Sequence, residues 1–535
     1  MTRIIIRCDA SMLVGSGHVM RCLTLARHLK SRGSEVFFIC RRQPGDLIGM
    51  LETEFSVLTL PEQSLVDVEG LKGRQLYQAW LGCTQDQDAI ESLQALATAG
   101  ITRFEWLVVD HYGLDHNWEH HLLASSHFAD SPKVLVVDDL ADRPHFADLL
   151  LDQNFFGDHT HHRYNSLLPS NCRQLLGPHY ALISPEYAYL HPAMPVRKEL
   201  RRVLIFFGGV DNANCTTLAL DALSDLKFQH VAVDVVLGLR CPHHNQVEAL
   251  VNKRPNTKLH HHLPSLAGLI ARADLAIGAG GATTWERICL GLPSIVIAAS
   301  ENQLPFSQVL DEFGYINLLG LASQVTALDI YQAVLGSFDD TGIFMTRPKL
   351  TDGFGTSRLV TAMLGLEGNL HLKRVTKSDQ DLLLRWANDP IVRSNSLSSD
   401  FISFAAHESW FKAGLSDPDR LHWIATDNRG CPVGQIRLDS QPNEHSVVLS
   451  LSLDTAARGL GLSSIMVNRA ITSMQFHWRS ACTLIANVLS SNKASQALFS
   501  ALGFVIDEPA SSAKITRWRM VFDSNSRVFP GSNAQ

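Results

Sequence analysis

Apolar residues open the chain in a strand-then-helix rhythm. Ile4-Ile5-Ile6 is apolar without alternation, the pattern of a parallel strand covered on both faces. A glycine loop follows, and then Leu23, Leu25, Ala26 and Leu29 form an amphipathic segment. Within residues 1–197 the same pattern predicts strands at Ile4–Arg7, Val36–Ile39, Trp106–Val109 and Val134–Val137. Asp110 and the pair Asp138-Asp139 follow the last two, at the edge where such sheets bind ligands. Pro192, Pro195 and the charged run Arg197-Lys198-Glu199 read as a hinge. Residues 198–366 repeat the rhythm, with strands at Val203–Phe207, Val231–Leu237, Leu275–Ile277 and Ile295–Ala298. The glycine loops of this series are Gly208-Gly209, after its first strand, and Gly278, Gly280 and Gly281, after Ile277.

The pattern changes near Leu366-Glu367-Gly368-Asn369. Helical spacing at Asp379–Trp386 and His407–Phe411 precedes an antiparallel series. Leu421–Thr426 and Pro432–Leu438 flank an Asn428-Arg429-Gly430 turn, and Val447, Leu449, Leu451 and Leu453 alternate with period two. The loop Arg458-Gly459-Leu460-Gly461-Leu462-Ser463, a helix, the strand Thr483–Val488, another helix and a strand near Lys514–Val521 complete a third domain, residues 370–523. The tail after Asp523 is rich in Ser, Asn and Pro, a composition of disordered segments. The predicted fold is α/β: two Rossmann-like domains facing a cleft in the GT-B arrangement of nucleotide-sugar enzymes, plus a C-terminal α+β domain.

Composition narrows this without changing it. A chain of 535 residues fits three or four domains of roughly 150 residues each. With 45% hydrophobic and 19% charged residues it reads as soluble and globular, and a net charge of −7 argues against a general nucleic-acid surface. No apolar run approaches the roughly 20 residues of a membrane span, and the N-terminus enters a strand without a signal-peptide pattern. The 10 cysteines include no C-x-x-C pair, as expected of reduced thiols. A cytoplasmic location follows as an expectation.

Candidate chemistry gathers at Gly15-Ser16-Gly17-His18. Glycines let a ligand approach the backbone, and a helix start offers free N–H groups to an anion. A histidine there feels the positive end of the helix dipole, which favours neutral imidazole near pH 7, and neutral imidazole can accept a proton from water. The bland alternative is a tight turn with a surface histidine. Arg21 could contact phosphate or pair with an acid.

Arg7-Cys8-Asp9-Ala10-Ser11 and the run from Gly15 to Ala26 resemble the opening signature of the UDP-sugar hydrolases of pseudaminic acid biosynthesis. Those enzymes remove UDP from UDP-2,4-diacetamido-2,4,6-trideoxy-β-L-altropyranose. Val109-Asp110-His111-Tyr112, Val137 through Asp142 and Leu176 through Leu182 match as well. The family's Leu-Arg-Pro-Glu-Phe segment stands here as Ile183-Ser184-Pro185-Glu186-Tyr187, so the arginine's role does not carry over. The resemblance covers about the first 365 residues. It implies that His18 is the general base that activates water toward the anomeric carbon.

Gly278-Ala279-Gly280-Gly281-Ala282-Thr283-Thr284-Trp285-Glu286 resembles the nucleotide-binding turn of the same family and of transferases related to MurG. Small residues before a helix let backbone N–H groups reach a diphosphate, here at Gly280, Gly281, Ala282 and Thr283. Glu286, one turn on, is placed to accept hydrogen bonds from ribose hydroxyls. Gly208-Gly209-Val210-Asp211 gives a matching loop, and Asn302 and Gln303 of Glu301-Asn302-Gln303 would line the same cleft. A glycine-rich turn with a surface glutamate is the plain alternative.

Arg458-Gly459-Leu460-Gly461-Leu462-Ser463 fits the Arg/Gln-x-x-Gly-x-Gly/Ala signature of GCN5-related N-acetyltransferases, with Ser463 at the small final position. Asn492 through Phe499, leading to Gly503-Phe504, resembles that family's second motif. The resemblance implies acetyl-CoA as co-substrate, with its pyrophosphate on Arg458, Gly459, Gly461 and Ser463 and a contact from Asn492. Many relatives carry at the Phe499 position a tyrosine that protonates the departing thiolate; phenylalanine cannot, and the acetylation base is unassigned.

Several of the 24 histidines cluster: His116 with His120 and His121; His159, His161 and His162; His243-His244; His260-His261-His262. No well-spaced carboxylate or cysteine completes a site, so no metal is predicted. For Asp138-Asp139, a helix cap or a cleft-facing pair is favoured over a metal pair. The combined reading is a two-headed enzyme of pseudaminic acid biosynthesis. Acetyl-CoA-dependent N-acetylation of UDP-4-amino-4,6-dideoxy-2-acetamido-β-L-altrose precedes hydrolysis of the diacetamido product to UDP and free sugar. The alternative is a GT-B glycosyltransferase with a non-catalytic acetyl-CoA-binding domain.

Overall fold

The unalternating apolar runs form the inner strands of two parallel sheets. The computed structural model describes residues 2–63, 68, 70–124, 131–195, 197, 199–238, 241–261, 263–337, 349–478, 482–508 and 514–522. Lys198, His262 and the tail from Asp523 lie outside the described residues. Contacts divide the chain into two compact units, Met1–Thr356 and Ser357–Gln535.

The first unit holds both parallel sheets. Strands β1 (Arg3–Cys8), β2 (Glu35–Arg41), β3 (Ser56–Leu60), β4 (Trp106–Asp110), β5 (Lys133–Val137), β6 (Leu149–Asp152) and β7 (Arg173–Leu176) align in the order 3-2-1-4-5-6-7. Strands β8 (Arg202–Phe206), β9 (Ala232–Leu237), β10 (Thr257–His261), β11 (Leu275–Ala279), β12 (Ser294–Ala298) and β13 (Asn317–Leu321) align as 10-9-8-11-12-13. In both sheets the order reverses beside the first strand, between β1 and β4 and between β8 and β11. A crevice opens outside the carboxyl ends of the strands at such a reversal. The loops singled out in the sequence lie at these two points.

Arg197 is held by carbonyls that all lie in residues 270–291, in the second half of the unit. The buried Arg197 guanidinium donates to the carbonyls of Ala273, Leu290, Gly291 and Ile270, so breaking it free would strand four acceptors and a buried charge. Gly278 belongs to β11, not to the loop after it. A Cβ there would lie 2.5 Å from the Phe206 carbonyl and from Arg287 Nη1; this glycine makes room for an arginine.

A buried ionic cluster ties β1 and β2 to the helix Gln85–Thr98. Arg7 bonds Asp88 through Nε (3.1 Å) and Nη2 (2.7 Å), and Asp9 through Nη1 (2.6 Å). Arg41 reaches Asp88 (2.7 Å) and Glu91 (2.6 Å), and Trp118 Nε1 adds a fourth donor to Asp88 at 3.0 Å. Burial alone would raise the Asp88 carboxyl, but the two guanidinium groups hold it down at about 2. Asp88→Asn is expected to cost about 3–5 kcal/mol in chemical denaturation at pH 7, because two buried cations lose their shared partner. Since the folded carboxyl titrates lower than an unfolded one, its contribution is full above pH ~4 and is lost as pH falls from there through about 2. Acid titration of stability should therefore show a smaller loss over that window in the variant.

The second unit is built on one mixed sheet. Strands β14 (His371–Arg374), β15 (Arg420–Thr426), β16 (Pro432–Gln441), β17 (Ser446–Leu453), β18 (Cys482–Leu489), β19 (Val505–Ile506) and β20 (Ile515–Phe522) take the order 14-15-16-17-18-20-19. The helix Leu462–His477 packs Met466, Val467, Ala470, Ile471 and Met474 against Leu421, Trp423, Ile436 and Leu438. On the other face Ile424 meets Leu382, Leu383, Trp386 and Phe411. Pairing between β17 and β18 is parallel and spans only Ser446–Val448 with Thr483–Ile485. Among the described residues no helix is long and apolar enough to cross a membrane.

Candidate active sites

His18 is the second residue of the helix Gly17–Ser31, entered from β1 through Gly15 at φ +78°. Its Nδ1 lies 2.5 Å from Oδ1 of Asp110, the last residue of β4. Arg21, one turn further along the helix, bonds the same carboxylate through Nε (2.7 Å) and Nη2 (2.6 Å), and Cys22 Sγ reaches Oδ2 at 3.3 Å. Burial would raise the Asp110 carboxyl, but Arg21 and His18 override it and hold it well below the usual carboxylate range. An ionised carboxylate only accepts, so Nδ1 carries the hydrogen, and in the neutral ring that puts the lone pair on Nε2. Among the described residues Nε2 has no hydrogen-bond partner, and His18 is 7% exposed. Tyr112 meets the ring edge-on at 4.4 Å. The arrangement fixes a basic nitrogen beside the strand-order reversal.

The remaining polar groups brace this pair. Arg21 Nη1 bonds Asp139 at 2.6 Å, and Asp139 also accepts from Tyr112 Oη (2.7 Å) and Asn154 Nδ2 (3.1 Å). Arg21 is thus spent on two carboxylates, the second of the uses open to it. Asp138 accepts from Ala141 N and Tyr164 Oη and pairs with Arg143 at 2.8 Å. The residues directly after Asp139 are turn and loop, so the acidic pair caps a turn and anchors side chains rather than a helix. His111, buried with its Nε2 3.5 Å from Asp9 Oδ2, is pushed down to about 4 by burial.

In the second sheet the glycine turn lies between β11 and the helix Thr283–Cys289. A Cβ on Gly280 would fall 2.7 Å from Ser307 Oγ and 3.6 Å from Gln303 Oε1, and one on Gly281 would fall 3.8 Å from Gln303 Nε2. Gln303 therefore packs against the turn, as the sequence reading grouped them. Asn302 accepts from Ser300 Oγ at 2.5 Å. Ala282 and Thr283 are half-buried at the helix start. Burial pushes the Glu286 carboxyl up to about 7, and its Oε2 is buried without a partner. Gly208 has φ +87° and open space at its Cβ position, whereas a Cβ on Gly209 would fall 2.6 Å from Ser16 Oγ. Gly209 thus brings the loop after β8 against the loop that carries His18. Sequence reasoning missed Arg287, which bonds the Ala279 carbonyl (2.8 Å) and Thr284 Oγ1 (2.9 Å) directly behind the turn.

In the second unit Gly459 (φ +78°) and Gly461 (φ +69°) have open space at their Cβ positions. Gly461 caps the helix Leu462–His477 with no side-chain bond, so N–H groups of the first turn, Ser463 among them, face outward unpaired by a cap. This fits an anionic pyrophosphate. Arg458 Nη2 lies 2.8 Å from Asp389 Oδ1. Asn492 Oδ1 accepts from Ser495 N and caps the helix Lys493–Ala501, so that oxygen is committed. Phe499 is core, 3% exposed, with its ring 5.1 Å from Phe504. Among the described residues no group of three or more His, Cys, Asp or Glu is placed to hold a metal; His260, for one, bonds Asp234 at 2.7 Å.

The acetyltransferase (GNAT) domain family model matches residues 369–505. An uncharacterized protein of Methanocaldococcus jannaschii is 21% identical over 441 residues, 79% of this chain and 80% of that protein. A match of that length necessarily includes residues of both units. The UDP-2,4-diacetamido-2,4,6-trideoxy-β-L-altropyranose hydrolase of Campylobacter jejuni is 24% identical over 313 residues, 58% of this chain and 97% of that enzyme. Acinetobacter baumannii MurG aligns in three dimensions with TM-score 0.43 and 14% identity, over 68% of this chain and 99% of that one. The chain therefore carries a GNAT domain at its C-terminus, behind an N-terminal part similar to the Campylobacter UDP-sugar hydrolase.

Proposed function

We propose that the chain is a bifunctional nucleotide-sugar enzyme that N-acetylates a UDP-4-amino sugar and then hydrolyses the acetylated product to UDP and free sugar. The division of labour is His18 chemistry in residues 1–197, nucleotide binding in 198–366 and acetyl transfer in 370–523. The sugar is that of pseudaminic acid biosynthesis, UDP-4-amino-4,6-dideoxy-2-acetamido-β-L-altrose before acetylation. The observation that carries the reading is the His18–Asp110 pair, whose free Nε2 can take a proton from water as its oxygen attacks the anomeric carbon. The C1–O bond breaks and UDP leaves with its electron pair. Gly280 through Thr283 would bind the diphosphate with backbone N–H groups, and Glu286 the ribose. When bound, acetyl-CoA supplies an activated acetyl thioester; Gly459, Gly461 and Ser463 would hold its pyrophosphate. Phe499, in the core, offers no proton.

The test is to incubate the full chain with the 4-amino UDP-sugar, with and without acetyl-CoA, and follow products by mass spectrometry and NMR. The expected result is acetylated UDP-sugar followed by UDP and the free diacetamido sugar. UDP release that requires an added acceptor would favour glycosyl transfer, and absence of acetyl transfer would reduce the GNAT domain to a binding module.

A further inference from the structure

On the face of the third sheet opposite the helix Leu462–His477, arginines gather around one tryptophan. The guanidinium carbons of Arg420 and Arg437 lie 5.3 and 5.2 Å from the centroid of the Trp410 ring. Arg374 borders the hollow from the sheet's other face: it pairs with Trp423, its guanidinium carbon lies 5.4 Å from that ring's centroid, and it meets the hollow beside His422 and the end of the helix Phe404–Leu415. Gly414 admits the approach: a Cβ there would fall 2.4 Å from Arg420 Nη1. Asp439 bonds both Arg420 (2.6 Å) and Arg437 (2.7 Å), while Arg374 forms no ion pair among the described residues. Burial pushes His422 down to about 4, so its ring adds no charge. Three arginines against one aspartate leave two net positive charges in a protein whose net charge is −7. No carboxylate lines the hollow itself. Trp410 keeps 37% of its surface exposed.

Strand register locates the hollow. Arg420 pairs with Asp439 and Asp439 with Val448, the last residue at which β17 pairs with β18. The Gly459–Gly461 loop is reached from the opposite end of β17, beyond Leu453. Arg420 lies five residue steps from that end, and Arg437, paired with Ser450, lies three. Arg420 and Arg437 project from the face opposite the helix that the glycine loop opens, so they serve an anion other than one bound at that loop.

We propose that this hollow binds the nucleoside diphosphate of the acetyl acceptor. Arg374, Arg420 and Arg437 match the two negative charges of the diphosphate, and Trp410 offers its ring to the base. The inference rests on the reading of the acceptor as a UDP-amino sugar. Amide hydrogen exchange of the full chain, with UDP, uridine or inorganic pyrophosphate added, tests it by peptide. UDP is expected to slow exchange across residues 404–426, separately from any effect at residues 278–290. Uridine and pyrophosphate should do so less, and Arg374→Glu should abolish the effect. In acetyl-transfer kinetics Arg374→Ala should raise KM for the UDP-amino sugar about 10- to 100-fold, leaving kcat and the KM for acetyl-CoA near wild type, and Arg374→Lys should recover part of the loss. Absence of UDP protection at 404–426 overturns the site whatever the acceptor proves to be. Equal protection by pyrophosphate overturns nucleoside recognition. Protection by UDP in a protein that does not acetylate the UDP-amino sugar supports the hollow and overturns the acceptor assignment instead.

Discussion

His18→Gln is expected to stop UDP release while acetyl transfer continues at the wild-type rate. Glutamine fills similar space, and its amide N–H can still donate to Asp110, so the Arg21–Asp110 pair keeps its surroundings. What disappears is the lone pair on Nε2. Loss of a general base costs on the order of 10²–10⁴-fold in rate, and both reactions can be read in one incubation, UDP by phosphorus NMR and acetylated sugar by mass spectrometry. Because His18 and the acetyltransferase motifs lie in different compact units, the second activity is an internal control for folding. Retained hydrolysis in a folded variant would sink the general-base assignment.

Asp110→Asn should come close to the same loss by a different route, and with a stability cost. The Asp110 carboxylate receives His18 Nδ1, Arg21 Nε, Arg21 Nη2 and Cys22 Sγ. An amide can accept through one oxygen only, and its NH₂ turned toward His18 would force the hydrogen onto Nε2, the wrong nitrogen for a base. Hydrolysis should fall on the order of 10³–10⁴-fold, as when the orienting carboxylate of a His–Asp pair is lost. Arg21, buried, would keep only Asp139, at a cost of about 3–5 kcal/mol, visible as a lower midpoint in denaturant. Near-normal hydrolysis in the folded fraction would show that Asp110 is structural and does not orient the base.

In the two parallel sheets, the strands legible in the sequence are those covered on both faces. β1, β4, β11 and β12 are buried at nearly every position, so hydrophobicity alone marks them. The strands it missed are mostly edges. β3, β7, β10 and β13 are half-exposed along much of their length, and β10 contains His260 and His261. At an edge the backbone ladder forms whatever the side chains, so the pattern is faint. β6 is buried but only four residues long. The site follows the same logic. His18 stands in a local motif and was legible. Its partner Asp110 is 92 residues away and becomes a neighbour only because β1 lies beside β4. Arg287 was hidden for another reason: nothing in sequence marks the glycine that makes space for it.

The contact at Gly209 sets how closely two loops of the first unit can lie. A methyl group at residue 209 would collide with Ser16 Oγ, and Gly238 in turn lies against the Gly209 backbone. Three small residues are thus stacked where the two loops meet. At this point there is no room for a Cβ unless Ser16 turns aside or the two loops part. The closeness of the two loops depends on a missing methyl group.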